Sequence, residues 1–232
     1  MLKKIFEIKQ IDISESQKSS INTLRMLGVF AVVNAIMVMV ETCIYHLEWY
    51  TFGSISASAT YYGTAYLLPF LMGGMAVYFW GYFAYGEWKE RTVTKTLAVL
   101  AFFVAMFQCE TDFNCCKEQV GLLGVSPCVS NIIHTTSAIL LFALLFVWIF
   151  FFFTKSDKKK KERTKEKNVR NSIFIGSAII VALLAVVGTI TAFNKQLPVS
   201  HPIIFYWETL ALIFAGFAIM VKGGLLLKDK QF

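Results

Sequence analysis

Three histidines and a few carboxylates stand where apolar sequence surrounds them, and their spacing makes them candidates for chemistry. Glu41 follows Asn34 by seven residues and precedes His46; His134 sits among Ser130, Asn131 and Ser137 at steps of three and four; His201 leads into Trp207 and Glu208. On a helix these steps put side chains on one face, so each group is a polar stripe on an otherwise greasy surface. An ionisable side chain near the middle of a membrane helix costs about 2.5–3.5 kcal/mol on insertion scales, and it persists where it pairs or works.

Such residues support three chemistries. They can tie helices together by hydrogen bonds. They can line a pocket for a small molecule, an ion or a relayed proton, here with Glu41, His134 and Glu208 in front and Asn34, Asn131 and Ser137 behind. They can also hold zinc through His134 with His46 or His201, leaving one position for a water that Glu41 or Glu208 deprotonates. The local signature of a metalloprotease, H-E-x-x-H, is missing from the chain, so the zinc reading rests on helices meeting in space.

The elements that must position these groups follow from composition. Of 232 residues, 56% are hydrophobic and 16% charged, against about 25% charged in soluble domains. These values exclude disorder, collagen, coiled coils and small disulfide scaffolds. A span needs about 20 apolar residues. Five runs meet that length: 27–47, 61–85, 129–153, 173–193 and 203–227. A shorter sixth, 94–109, qualifies if Lys95 snorkels to its inner end. The expected architecture is all-α: a polytopic bundle of six transmembrane helices over 26–228, preceded by a polar segment at 1–25.

With six spans, 20 of the 22 lysines and arginines fall on one side and only Lys117 and Lys195 on the other. Positive residues stay inside, so both termini are expected in the cytoplasm of a bacterial or archaeal plasma membrane. The loop at 155–170 carries nine basic residues and is expected to lie against anionic lipid. It has no interleaved aromatic residues for base stacking, so nucleic acid is not an expected partner. An oligomer is compatible with this pattern. Cys109, Cys115, Cys116 and Cys128 all fall in the outer loop at 109–128, where an even number of thiols reads as a disulfide framework. In the inner half only Lys222 stands out among apolar neighbours.

The stretches SISAS…YY (54–62), VGLLGVSPCVSNIIHTTSA (120–138), FFFTKSD (151–157) and WETLALIFAGFAIMVKGG (207–224) together resemble a family of uncharacterised prokaryotic six-helix membrane proteins. The resemblance runs over most of 25–228 and implies fold and localisation, with no known activity. It matches a histidine of the fourth span at His134 and a glutamate of the sixth at Glu208. Relatives carry an Arg-Asp pair at the entrance of the second span, where this chain reads Gly63-Thr64-Ala65-Tyr66. A more distant similarity, carried by the serine-rich second-span entrance and the intramembrane histidine, is to the CREST group of membrane hydrolases, such as alkaline ceramidases. It implies zinc as cofactor and hydrolysis of lipid or amide bonds.

The function expected first is therefore binding of a small molecule or ion, as a sensor or transport component. A zinc-dependent intramembrane hydrolase comes second, and a structural subunit of a larger complex third.

Overall fold

The structure, a computed structural model, describes residues 2–46, 56, 67–82, 88–110, 116–121, 123–156, 164–193 and 203–227. The side chains of 2–14, 16, 39, 41–46, 67–69, 192, 193 and 203 lie outside that description. The described residues include six long α-helices: α1 Leu2–His46, α2 Leu67–Gly81, α3 Trp88–Met106, α4 Pro127–Val147, α5 Lys165–Phe193 and α6 Ile203–Lys222. Among the described residues there is no strand. Each helix packs on the next in sequence, and α6 returns to pack on α1, so the six form a closed ring.

The helices are compatible with an integral membrane protein. Gln17–Val38, Pro127–Phe153, Lys165–Thr191 and Ile204–Lys222 are long and apolar enough to cross a membrane, and Phe70–Gly81 is a shorter apolar helix. The remaining helix, α3, opens with Lys89, Glu90, Arg91 and Lys95. Over its 19 residues it rises about 28 Å. The Lys95 ammonium lies 4.5 Å from the centre of the Trp80 ring on α2, a cation–π contact that holds it against the neighbouring helix. Large apolar side chains such as Ile36, Val77, Phe102, Ile132, Ile179 and Leu183 point outward, as a surface bathed in lipid requires.

The helix limits differ from the apolar runs. α1 begins far upstream of position 27, and its 45 residues reach about 68 Å, more than twice the ~30 Å hydrocarbon thickness. α3 ends at Met106 rather than at 109, and residues 107–110 lie outside the helix. α6 stops at Lys222, not 227, because a glycine cap ends it. Gly224 takes φ +67°, its N–H donates to Val221 O at 3.1 Å, and Leu225 N–H reaches back to Met220 O at 3.0 Å. This is the Schellman arrangement. Conversely, Pro127 starts α4 behind the extended Ser126, a position where a missing N–H removes nothing from the helix.

The ring closes where two glycines meet. A Cβ on Gly28 of α1 would lie 2.6 Å from Met220 Cγ and 2.9 Å from Gly216 O; one on Gly216 of α6 would lie 2.8 Å from both Gly28 O and Val32 Cγ2. Only backbone fits there, and small residues are what allow helices to approach so closely in a membrane. One step along, Gly223 sits against Arg25 and Leu24, and Arg25 Nε donates to Gly223 O at 2.9 Å. As α1 advances α6 recedes, so the pair is antiparallel and the C-terminal end of α6 lies at the level of Arg25.

At that end the core is aromatic. Phe79, Trp148, Phe153 and Phe174 are all fully buried and meet edge to face in sequence, with centroids 5.7, 4.7 and 5.4 Å apart. Trp148 and Phe153 are five residues apart. On an α-helix they would diverge, but Trp148–Phe153 is a π-helix. Its i→i+5 bonding stacks residues five apart and turns both rings inward.

Gly216→Ala should destabilise the protein by about 1–3 kcal/mol, the usual effect of overpacking, measured as a lower Tm in detergent. Gly188→Ala, whose Cβ would meet nothing within 4 Å, should keep or raise the Tm.

Candidate functional site

The polar stripe of α4 lies at the end of the bundle away from the termini, and it holds the end of α3. Past Met106 the chain has left its helix, so its peptide groups need partners from elsewhere. Ser130 supplies two: its hydroxyl accepts from Gln108 N–H and donates to Gln108 O, both at 2.8 Å. Asn131 Oδ1 accepts from Glu110 N–H at 3.1 Å and from the Thr135 hydroxyl at 3.3 Å. His134 Nδ1 lies 2.6 Å from Phe107 O. A carbonyl only accepts, so Nδ1 carries a proton. Ser130 and His134 are buried, as is Ser137 one turn deeper on the same face.

The loop that follows is closed by the backbone. Val120 N–H donates to Val125 O at 2.8 Å and Val125 N–H to Val120 O at 3.3 Å. Gly121 and Gly124 take φ +72° and +58° to make the turn, conformations that cost glycine little. A side chain at Gly121 would press on Met106 O at 3.1 Å. The disulfide framework expected here is not formed among the described residues: Cys109, Cys116 and Cys128 are thiols. Cys109 is half-buried, whereas Cys116 and Cys128 are exposed. Hydrogen bonds to α4 and the paired valines hold the loop instead. Cys115 lies outside the described residues.

Across the ring, Asn34 on α1 is fully buried. Its Nδ2 donates to two methionine sulfurs of α2, Met72 Sδ at 3.2 Å and Met75 Sδ at 3.8 Å. Among the described residues its Oδ1 has no hydrogen-bond partner, and neither do Trp207 Nε1 and Thr209 Oγ1 on α6. Glu208, between them, is half-buried. The side chains of Glu41 and His46, and the whole of His201, lie outside the described residues. The antiparallel register does fix levels along the helices. At about 1.5 Å per residue, position 41 stands about 24 Å beyond Arg25, and Glu208 about 20 Å beyond Val221. His134 stands about 21 Å beyond Trp148. α1 and α6 thus carry positions 41 and 208 at similar depth. Among the described residues no group of three or more His, Cys, Asp or Glu is placed to hold a metal.

The opposite half is not the bare apolar region expected. Glu90, in the first turn of α3, is buried. Its Oε1 accepts from Trp148 Nε1 at 3.0 Å and from the Tyr82 hydroxyl at 3.2 Å, joining α3, α4 and the end of α2. Arg170 is buried too, and donates to Val221 O at 3.1 Å and Lys222 O at 3.4 Å. Lys222 holds its ammonium 5.3 Å from the centre of the Phe153 ring. Glu90 and Arg170 were hidden in sequence because each lies in a charged run next to an apolar one. Glu90 has Lys89 and Arg91 beside it and reads as loop. The one available signal was Trp148, whose indole N–H needs an acceptor when buried.

No family model matches the chain, and no curated protein or solved structure matches it either. The geometry of the bundle is therefore the ground for any functional reading.

His134→Phe and Ser130→Ala each leave buried groups at 107–108 without partners, at about 1–3 kcal/mol apiece. The expected result is faster hydrogen exchange of the amides at 108 and 110, with exchange in α5 unchanged. Glu90→Leu should lower the Tm more than Glu90→Gln, which keeps an acceptor for Trp148 and Tyr82.

Proposed function

We propose that the half of the bundle away from the termini is a binding pocket for a small molecule or ion, opening to the outside, in a sensor or transport component. Both termini then lie in the cytoplasm, and the loop at 155–170 rests on anionic lipid. The observation that carries the reading is that Asn34 Oδ1, Trp207 Nε1 and Thr209 Oγ1 in this half are buried without partners among the described residues; on the termini side Asn171 Oδ1 is in the same condition. Each would cost about 1–3 kcal/mol if nothing met it, and hydrocarbon offers no water to do so. Trp207 and Thr209 lie on opposite faces of α6, so a bound polar ligand would meet Asn34 Oδ1 and one of the two. The termini side is filled by Phe79, Trp148, Phe153 and Phe174, and buried positions farther up include Phe205 together with Ala35, Ala101, Ala105, Ser137 and Ala211. In this reading the aromatic cluster closes the pocket toward the cytoplasm, and Glu41, His134 and Glu208 form its upper wall.

A second reading has one observation in its favour. A histidine whose Nδ1–H is tied to a backbone carbonyl, as His134 is to Phe107, has the support typical of a metal ligand and presents Nε2 to the ion. Zinc on His134 with His46 or His201 would then activate water for hydrolysis, with Glu41 or Glu208 as base.

The test is made on the full-length protein, in intact cells for labelling and purified for ligand binding. Ser137→Cys, introduced against the native cysteines as control, should react with a water-soluble maleimide applied from outside the cell. A screen of ions and polar metabolites should yield a ligand that raises the Tm, and Glu208→Gln and His134→Gln should abolish that rise. A ligand at 100 times its Kd would stabilise by about 2.7 kcal/mol. If Ser137→Cys stays unreactive and no ligand shifts the Tm, the pocket is refuted. About one equivalent of zinc by elemental analysis, lost in His134→Ala, would decide for the hydrolase.

A further inference from the structure

We infer that Met72, Met75 and Asn34 form a site for a soft monovalent cation, Cu(I) or Ag(I), at the floor of the pocket. The inference rests on the far-side binding reading and names the ion for it. Met72 and Met75 are three apart on α2 and thus share a face. Both are buried, at 4% and 1% exposure. Their sulfurs converge on a single atom, Nδ2 of Asn34, at 3.2 and 3.8 Å. Thioether sulfur is a weak hydrogen-bond acceptor, so an oxygen would serve each of the two Nδ2 hydrogens better than the sulfur it meets. Thioether is, however, a ligand that selects Cu(I) over the harder ions. Turning the Asn34 amide by half a revolution brings Oδ1, now without a partner, to the place of Nδ2. Two sulfurs and one oxygen then face one point.

Charge and depth agree with a monovalent ion. The three donors are neutral, so a bound divalent cation would keep both charges inside hydrocarbon, whereas Cu(I) or Ag(I) keeps one. Asn34 lies nine residues beyond Arg25, about 14 Å along α1. That is near the middle of a ~30 Å core, where transporters place their coupling-ion and substrate sites. Toward the far end stand further ligands of suitable softness: the imidazole of His134 and the thiols of Cys109, Cys116 and Cys128.

The probe is Ag(I), which mimics Cu(I) without redox chemistry, added to the full-length protein in detergent after alkylation of its accessible thiols with N-ethylmaleimide. Retained silver is counted by elemental analysis after desalting. Oxidation of Met72 and Met75 by peroxide, with and without Ag(I), is followed by peptide mass spectrometry. The expected result is that Met72→Leu/Met75→Leu retains one equivalent less silver than the unsubstituted protein. Asn34→Ala should bind it at least tenfold more weakly, and Ag(I) but not Zn(II) should protect both methionines from peroxide. Leucine is close to methionine in volume, and an unchanged elution profile on size exclusion will show that the double variant is folded. Equal silver retention by the folded double variant, or no protection of the methionines, overturns the site. If the site fails while Ser137→Cys reacts from outside and another ligand raises the Tm, only the choice of ion was wrong. If the Ser137→Cys and ligand-screen tests fail as well, the pocket falls with it.

Discussion

Inside a bilayer a peptide group with no partner cannot borrow one from water, and that constraint shapes this bundle at both ends. α3 ends at Met106, and the groups that follow are held by Ser130, Asn131 and His134 from α4. α6 ends at Lys222, and its last carbonyls are held by Arg170 from α5 and Arg25 from α1. In each case a helix C-terminus, the negative pole of its dipole, is met by donors from a neighbouring helix. The arginines add full positive charge where the dipole favours it. Polar side chains in a greasy core are therefore first of all the means by which helices of unequal length end safely beside one another.

Ring closure follows from a second, steric condition. α1 and α6 must touch along their backbones for α6 to bring its terminus within reach of Arg25, and Gly28 with Gly216 permits this. The close crossing also sets the register. Once Gly223 is level with Arg25, position 41 falls near Glu208 without further adjustment. The depth shared by the acidic positions is a consequence of where two glycines meet.

The two halves of the interior are built from different materials. The termini side is filled by aromatic rings held by the Glu90 carboxylate through Trp148 and Tyr82, with a π-helical turn that points Trp148 and Phe153 to the same place. Such a turn departs from regular helix and is retained where it aims a side chain. The far side combines Phe205 with small and polar residues at its buried positions; Asn34 Oδ1, Trp207 Nε1 and Thr209 Oγ1 are without partners among the described residues there, as Asn171 Oδ1 is on the termini side.

The amino-acid pattern alone determined that this is an all-helical bundle, because the length of an apolar run and the absence of charge within it are properties of the chain itself. It also marked Ser130, Asn131, His134 and Ser137 as one face, since helical periodicity needs no knowledge of neighbours. It could not say what that face does. The stripe reads the same whether it lines a pocket or holds the end of α3, and only the position of Phe107–Glu110 decided that three of the four do the latter. Glu90, Arg170 and the Gly28–Gly216 contact were illegible for the same reason. Each is defined by a partner 50 or more positions away, and the distance between two residues along a sequence carries no information about their distance in space until the helices are packed.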